Sequence, residues 1–141
     1  MLWEDVIADR SGLYYVLHMF RAKVVDNFSA AHHLRGYQGD CERLHGHYYR
    51  VEVVVAALEL DDMGIVMDFR DLKLSLKDVL KEMDHQYLND LPIFTEVNPS
   101  AEHIAEYIYA RMKAHVLAPV RILEVAVWEN ETCCAFYGEH A

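Results

Sequence analysis

Cys41-Glu42-Arg43-Leu44-His45-Gly46-His47 runs straight into Tyr48-Tyr49-Arg50-Val51-Glu52-Val53-Val54-Val55-Ala56-Ala57-Leu58, and the reading of this passage decides the fold. Tyr48 to Leu58 has the β-branched and aromatic content of a strand. If His47 opens that strand, the period of two sends His45 and His47 to one face, and Gly46 adds no bulk between them. The valine-rich core alternates only weakly, which predicts a strand covered on both faces. Two imidazoles on one face make half of a metal site. Ala30-Ala31-His32-His33, at the end of another apolar run, offers a third.

Working outward, Tyr14 to Phe28 reads as a strand preceding this one. Asp61-Asp62-Met63-Gly64 is a turn, with a short strand expected at Ile65 to Met67. Asp68 then caps a helix whose Phe69, Leu72, Leu76, Val79, Leu80 and Met83 recur at three- and four-residue steps. Asn89-Asp90-Leu91-Pro92 breaks regular structure. Asn98-Pro99-Ser100 starts a second helix, with Ile104, Ala105, Ile108, Met112 and Val116 on one face, ending before Pro119. Ile122 to Trp128 and Thr132 to Tyr137 form a hairpin across Asn130-Glu131. The order predicts an α+β layer, an antiparallel four-stranded sheet with two helices on one face. Its bare edges and second face predict an oligomer in which sheets from several copies close a barrel.

The 141 residues suit one domain, and 53% hydrophobic with 26% charged residues is ordinary for a globular chain. No apolar run reaches membrane-spanning length. The first eighteen residues lack the pattern of a secretory signal, and three cysteines, two of them adjacent, give no disulfide framework, so a cytoplasmic protein with free thiols is expected. A formal charge of −10 without clustered Lys and Arg argues against a nucleic-acid partner. A small anionic substrate remains open, with Lys23, Arg35, Arg43 and Arg50 as candidate cations.

Each candidate site residue has a plainer alternative. With nine histidines in the chain, His45 and His47 are either ligands or neighbours by chance. His32 and His33 face opposite ways on a strand, so one of them is a bystander. Cys41 is either the fourth ligand of a closed structural zinc site, a free thiol beside an open one, or a small buried hydrophobe. Cys133 and Cys134 read as packing residues. Asp84-His85 is either a helix terminus or a proton-relay dyad, and adjacent residues in one helix form a straight relay with difficulty. Glu129, closing Val125-Ala126-Val127-Trp128, needs a partner if buried; a flat ligand presenting paired N–H groups would satisfy both oxygens.

Taken together, Phe28-Ser29-Ala30-Ala31-His32, Cys41 to His47, Gly64-Ile65-Val66-Met67-Asp68-Phe69, Met83-Asp84-His85-Gln86-Tyr87-Leu88-Asn89-Asp90 and Val127-Trp128-Glu129 resemble the 6-pyruvoyl-tetrahydropterin synthase superfamily. The likeness is greatest to its bacterial branch, the 6-carboxy-5,6,7,8-tetrahydropterin synthases of queuosine biosynthesis, because the loop between the cysteine and the His-Gly-His is short. It covers about residues 19 to 138, leaving residues 1–18 as an extension of uncertain order before a single 19–141 domain. Gln86 stands where a second His is frequent.

The resemblance implies the tunnelling fold, with trimers closing a barrel and two trimers stacking to a homohexamer. It implies Zn2+ on His32, His45 and His47, with His33 the bystander, and Cys41 as proton acceptor. Asp84 and His85 become a relay contributed by a neighbouring subunit, and Glu129 the anchor of the pterin ring. The implied reaction is a lyase conversion of 7,8-dihydroneopterin triphosphate to 6-carboxy-tetrahydropterin, acetaldehyde and triphosphate. Alternatives are a pyruvoyl-type elimination of triphosphate that keeps the side chain, and a non-catalytic, zinc-stabilised assembly protein.

Overall fold

The computed structural model describes the backbone of residues 6–8, 14–16 and 18–139. Strands β1 (Val6–Ala8) and β2 (Tyr14–Val16) pair antiparallel as a separate two-stranded sheet. The rest of the 1–18 segment assigned to an extension lies outside the described residues, apart from His18. The main sheet uses β3 (Phe20–His32), β4 (His45–Ala57), β5 (Gln86–Tyr87), β6 (Arg121–Trp128) and β7 (Cys134–Gly138) in the order β5-β3-β4-β6-β7. Neighbours are antiparallel except β3 and β5, which are parallel. Helices α1 (Phe69–Leu80) and α2 (Ala101–Met112) complete the α+β layer.

Three expectations change. The sheet has five strands rather than four, because Gln86 and Tyr87 pair with Ala30 and Ala31 at the edge of β3. The expected strand Tyr14 to Phe28 divides: Tyr14–Val16 belongs to the small hairpin, and β3 starts at Phe20 and runs on to His32. Ile65 to Met67 is irregular, leading directly into the α1 cap.

The two long strands place the site. β3 and β4 pair over their whole lengths, Phe20 opposite Ala57 through His32 opposite His45. Their shared end therefore carries His32 and His45 directly across from one another. On the helix side, Val24, Phe28 and Ala30 of β3 join Tyr49, Val51, Val53 and Val55 of β4 in one core with Leu72, Leu76, Ile104, Ile108 and Met112. α1 packs on β3, α2 on β6 and β7, and the helices touch each other. Each fully buried leucine contributes about 2 kcal/mol. Both caps lie where the sequence puts them: Asp68 Oδ1 accepts the Arg70 N–H at 2.8 Å, and Ser100 Oγ that of His103 at 3.2 Å. Loss of either costs about 1 kcal/mol.

The weak alternation of β4 has a physical cause on the opposite face. Glu52 is only 8% exposed there. Lys23 Nζ (3.0 Å), Arg50 Nη2 (3.1 Å) and Trp128 Nε1 (2.8 Å) all donate to its carboxylate. Burial pushes the Glu52 carboxyl up, but these three donors outweigh it and hold it below the ordinary carboxylate range.

Candidate active site

His32, His45 and His47 converge at the end of the β3–β4 ladder, with one ring nitrogen from each lying within 4.8 Å of the others. Two of the rings are oriented by backbone carbonyls. His32 Nδ1 donates to Pro99 O at 2.7 Å, and His45 Nδ1 donates to Arg43 O at 2.7 Å. Spending each Nδ1 proton on a carbonyl leaves the Nε2 atoms as bare acceptors, and these face each other at 2.9 Å. Two facing lone pairs repel, and a cation between them turns the repulsion into two bonds. His47 Nε2 is buried with no hydrogen-bond partner, which is the same signature in a third ring. The donor set therefore fits a borderline-soft divalent ion such as zinc.

The electrostatics agree with neutral, metal-ready imidazoles. Burial, together with the neighbouring His45 and His47, lowers the pKa of His32 from 6.5 to about 4 despite the Pro99 hydrogen bond. Burial likewise lowers that of His47, opposed by the Glu129 carboxylate beside it and helped by His45. His32 is 1% exposed, so its ring is locked in place. The Tyr49 hydroxyl, 3.1 Å from His32 Nδ1, closes the inner side, and burial raises its pKa well above the ordinary tyrosine value.

Cys41 sits in a one-turn helix, Asp40–Glu42, with its carbonyl accepting the Leu34 N–H at 2.8 Å. Among the described residues its thiol is not part of the histidine cluster. Glu129 follows β6, anchored by its N–H to Cys133 O at 3.1 Å, and its negative charge acts on both His47 and Tyr49.

Asp84 and His85 do form a contacting pair, Oδ1 to Nδ1 at 2.9 Å. The difficulty of an adjacent pair in one helix disappears because α1 ends at Leu80 and His85 takes the left-handed φ of 58°. Asp84 Oδ1 also accepts the Ser29 N–H at 3.0 Å, and His85 N–H donates to Ser29 O at 2.6 Å, docking the pair on the edge of β3. The Ser29 N–H, with His85 adding to it, holds the Asp84 carboxyl below the ordinary carboxylate range. The His85 side chain is 81% exposed. It borders an open depression with Ser29, Gly46 and Tyr48.

His33 turns away from the trio and stacks on Tyr87, whose hydroxyl meets its Nδ1. Of the candidate cations, Lys23 and Arg50 are engaged by Glu52, Arg35 donates to backbone carbonyls, and Arg43 is exposed. Sequence reasoning missed the carbonyls of Pro99 and Arg43 and the Tyr49 hydroxyl. Every residue has a carbonyl, so only the helix-start motif Asn98-Pro99-Ser100 could have drawn attention to the first.

Known proteins share this arrangement of chain. Over 112 residues the chain is 39% identical to a 6-carboxy-5,6,7,8-tetrahydropterin synthase from Synechocystis sp., covering 76% of this chain and 82% of that protein. It is 37% identical over 104 residues to a dihydroneopterin monophosphate aldolase from Pyrococcus furiosus, covering 74% and 84%. The 6-pyruvoyl tetrahydropterin synthase structure from Caenorhabditis elegans superposes with a TM-score of 0.75 at 25% identity, covering 88% of this chain and 98% of that one. The model of the family described as 6-pyruvoyl tetrahydropterin synthase matches residues 21–140. A histidine trio on paired strands, in a chain matched from residue 21 to 140, places this protein in the 6-pyruvoyl tetrahydropterin synthase family of enzymes.

Proposed function

We propose that the chain is a zinc-dependent carbon–carbon lyase that converts 7,8-dihydroneopterin triphosphate to 6-carboxy-5,6,7,8-tetrahydropterin, acetaldehyde and triphosphate, in the cytoplasm and on the route to queuosine. The observation that carries it is a three-imidazole cluster from which the Cys41 thiol stands apart, since a closed structural site would draw that sulfur in. Residues 19–141 are the catalytic unit, and 1–18 an extension of it.

His32, His45 and His47 hold the ion, which when bound supplies Lewis acidity toward the hydroxyls of the pterin side chain. Glu129 receives the paired N–H groups of the pterin ring on its two carboxylate oxygens. Cys41 accepts a proton from the side chain as thiolate. Asp84 holds His85 by its Nδ1, leaving Nε2 to pass a proton on the other side of the substrate. A ring exposed at a sheet edge is suited to serving a neighbouring copy's site, so the active enzyme is an oligomer, a trimer or a dimer of trimers, with shared sites and a closed barrel.

The test is a product assay with purified, zinc-quantified protein and 7,8-dihydroneopterin triphosphate. Acetaldehyde and triphosphate are expected in equal amounts. Triphosphate with a pyruvoyl product and no acetaldehyde would overturn the lyase reading in favour of simple elimination. The archaeal relative supports a second reading, aldol cleavage of the monophosphate, for which turnover of dihydroneopterin monophosphate with no triphosphate substrate consumed is the mark.

A further inference from the structure

The three residues after His32 are held from both sides in a way the reaction itself does not require. Asn89 Oδ1 accepts the His33 N–H at 3.0 Å, and Asn89 Nδ2 donates to His33 O at 3.0 Å. Asn98 repeats the pattern two residues on, accepting the Arg35 N–H at 2.8 Å and donating to Arg35 O at 3.1 Å. Between them, Leu34 gives its N–H to Cys41 O at 2.8 Å. The segment therefore continues β3 as a ladder whose rungs are side-chain amides on one side and the Cys41 turn on the other.

Arg35 then ties the far loop together. Its guanidinium donates to Phe94 O at 2.7 Å, Val97 O at 3.2 Å and Asn89 O at 3.3 Å. The residue after Asn98 is buried Pro99, whose carbonyl orients His32. The same few bonds thus set the position of the Pro99 carbonyl and of the Cys41 backbone relative to the histidine trio.

We infer that Arg35, Asn89 and Asn98 are positioning residues, a clasp that sets the metal affinity of His32 and fixes the Cys41 backbone through Leu34. This rests on the metal-binding reading above. Outer hydrogen bonds of a ligating histidine fix its orientation and basicity, and their loss typically weakens metal binding 10- to 100-fold. Asn89 is buried, so removing its amide strands the His33 N–H and threatens the fold. Arg35 is exposed, so truncating it leaves no buried charge behind.

The test uses Arg35→Met and Asn98→Asp, with Arg121→Met, which breaks an ion pair with Glu139 elsewhere, as control. Zn2+ affinity is measured by competition with a chromogenic chelator, the Co2+-substituted protein by its visible spectrum, and the metal-free protein by its urea midpoint. Arg35→Met and Asn98→Asp should each bind zinc at least about tenfold more weakly with an altered cobalt spectrum. The metal-free midpoint of Arg35→Met should move no more than that of Arg121→Met, and Arg35→Lys, able to serve one carbonyl, should fall between. Wild-type affinity and cobalt spectrum in both variants, or equal loss in Arg121→Met, would overturn the clasp. If Arg35→Met does not fold, Asn98→Asp decides. Failure of the wild type to take up zinc, or unchanged uptake in His32→Ala, would overturn the metal reading and the clasp with it.

Discussion

His32 is both a wall of the core and a member of the convergent imidazole trio, and the two roles meet in its protonation. In the unfolded chain it titrates near 6.5, and in the fold near 4, because burial disfavours the imidazolium. The unfolded state therefore binds the extra proton first as pH falls. Stability from a neutral His32 is present above 6.5, drains away between 6.5 and about 4, and is gone below, a loss of about 3 kcal/mol. Urea midpoints of the metal-free protein should fall over that range, and His32→Asn should flatten the profile. Cys41 belongs to the same scale. Cys41→Ala should retain stoichiometric zinc and lose about 100-fold or more in turnover, measured by metal analysis beside the acetaldehyde assay; loss of zinc together with turnover would make the thiol a ligand. The alternation of a strand made His45 and His47 legible as a pair, and the opposite facing of His32 and His33 made one of those a bystander. The orienting carbonyls were not legible, because the Pro99 carbonyl reaches His32 by the path of residues 88–99 and the Arg43 carbonyl reaches His45 by the turn of the backbone at 43–45.

At the scale of elements, capping and periodicity carried the reading. Asp68 and Ser100 each sit before an apolar stripe, and both helices begin where those residues place them. β5 escaped notice because two residues have no period, and only the parallel docking beside Ala30 and Ala31 makes them a strand. The boundary at Phe20 escaped because no Gly or Pro marks the break between Val16 and Phe20. Glycine distinguishes two positions sharply. A Cβ on Gly138 would lie 2.2 Å from Leu123 O and 2.8 Å from Glu124 Cα, backbone atoms that cannot swing aside, whereas on Gly46 it would meet only Ala30 O at 3.6 Å. Gly138→Ala should therefore lose about 2 kcal/mol in urea unfolding, and Gly46→Ala should change by no more than about 0.5 kcal/mol.

The whole molecule is an open sheet. β3 is paired on its outer side only at Ala30 and Ala31, with Asp84 and His85 docked beside them at Ser29, and β7 has no outer neighbour among the described residues. Exposed aromatics mark both borders, Phe20 on β3 and Phe136 with Tyr137 on β7. His85 is turned outward at one of those borders, which gives the proposed two-copy site a direct test. Mixing inactive Cys41→Ala with inactive His85→Ala should restore a fraction of the activity once subunits exchange; activity that stays at zero through exchange would place both groups in one chain's own site. The open borders of the sheet were legible, since an α+β layer with one covered face has them wherever it occurs. What meets those borders, and along which strand, is set by surface shape that a one-dimensional pattern does not contain. Those raw borders carry a further consequence for anyone handling the protein: an uncapped edge is a template for adding another chain's strand, so concentrated stocks are where unwanted edge-to-edge association would set in.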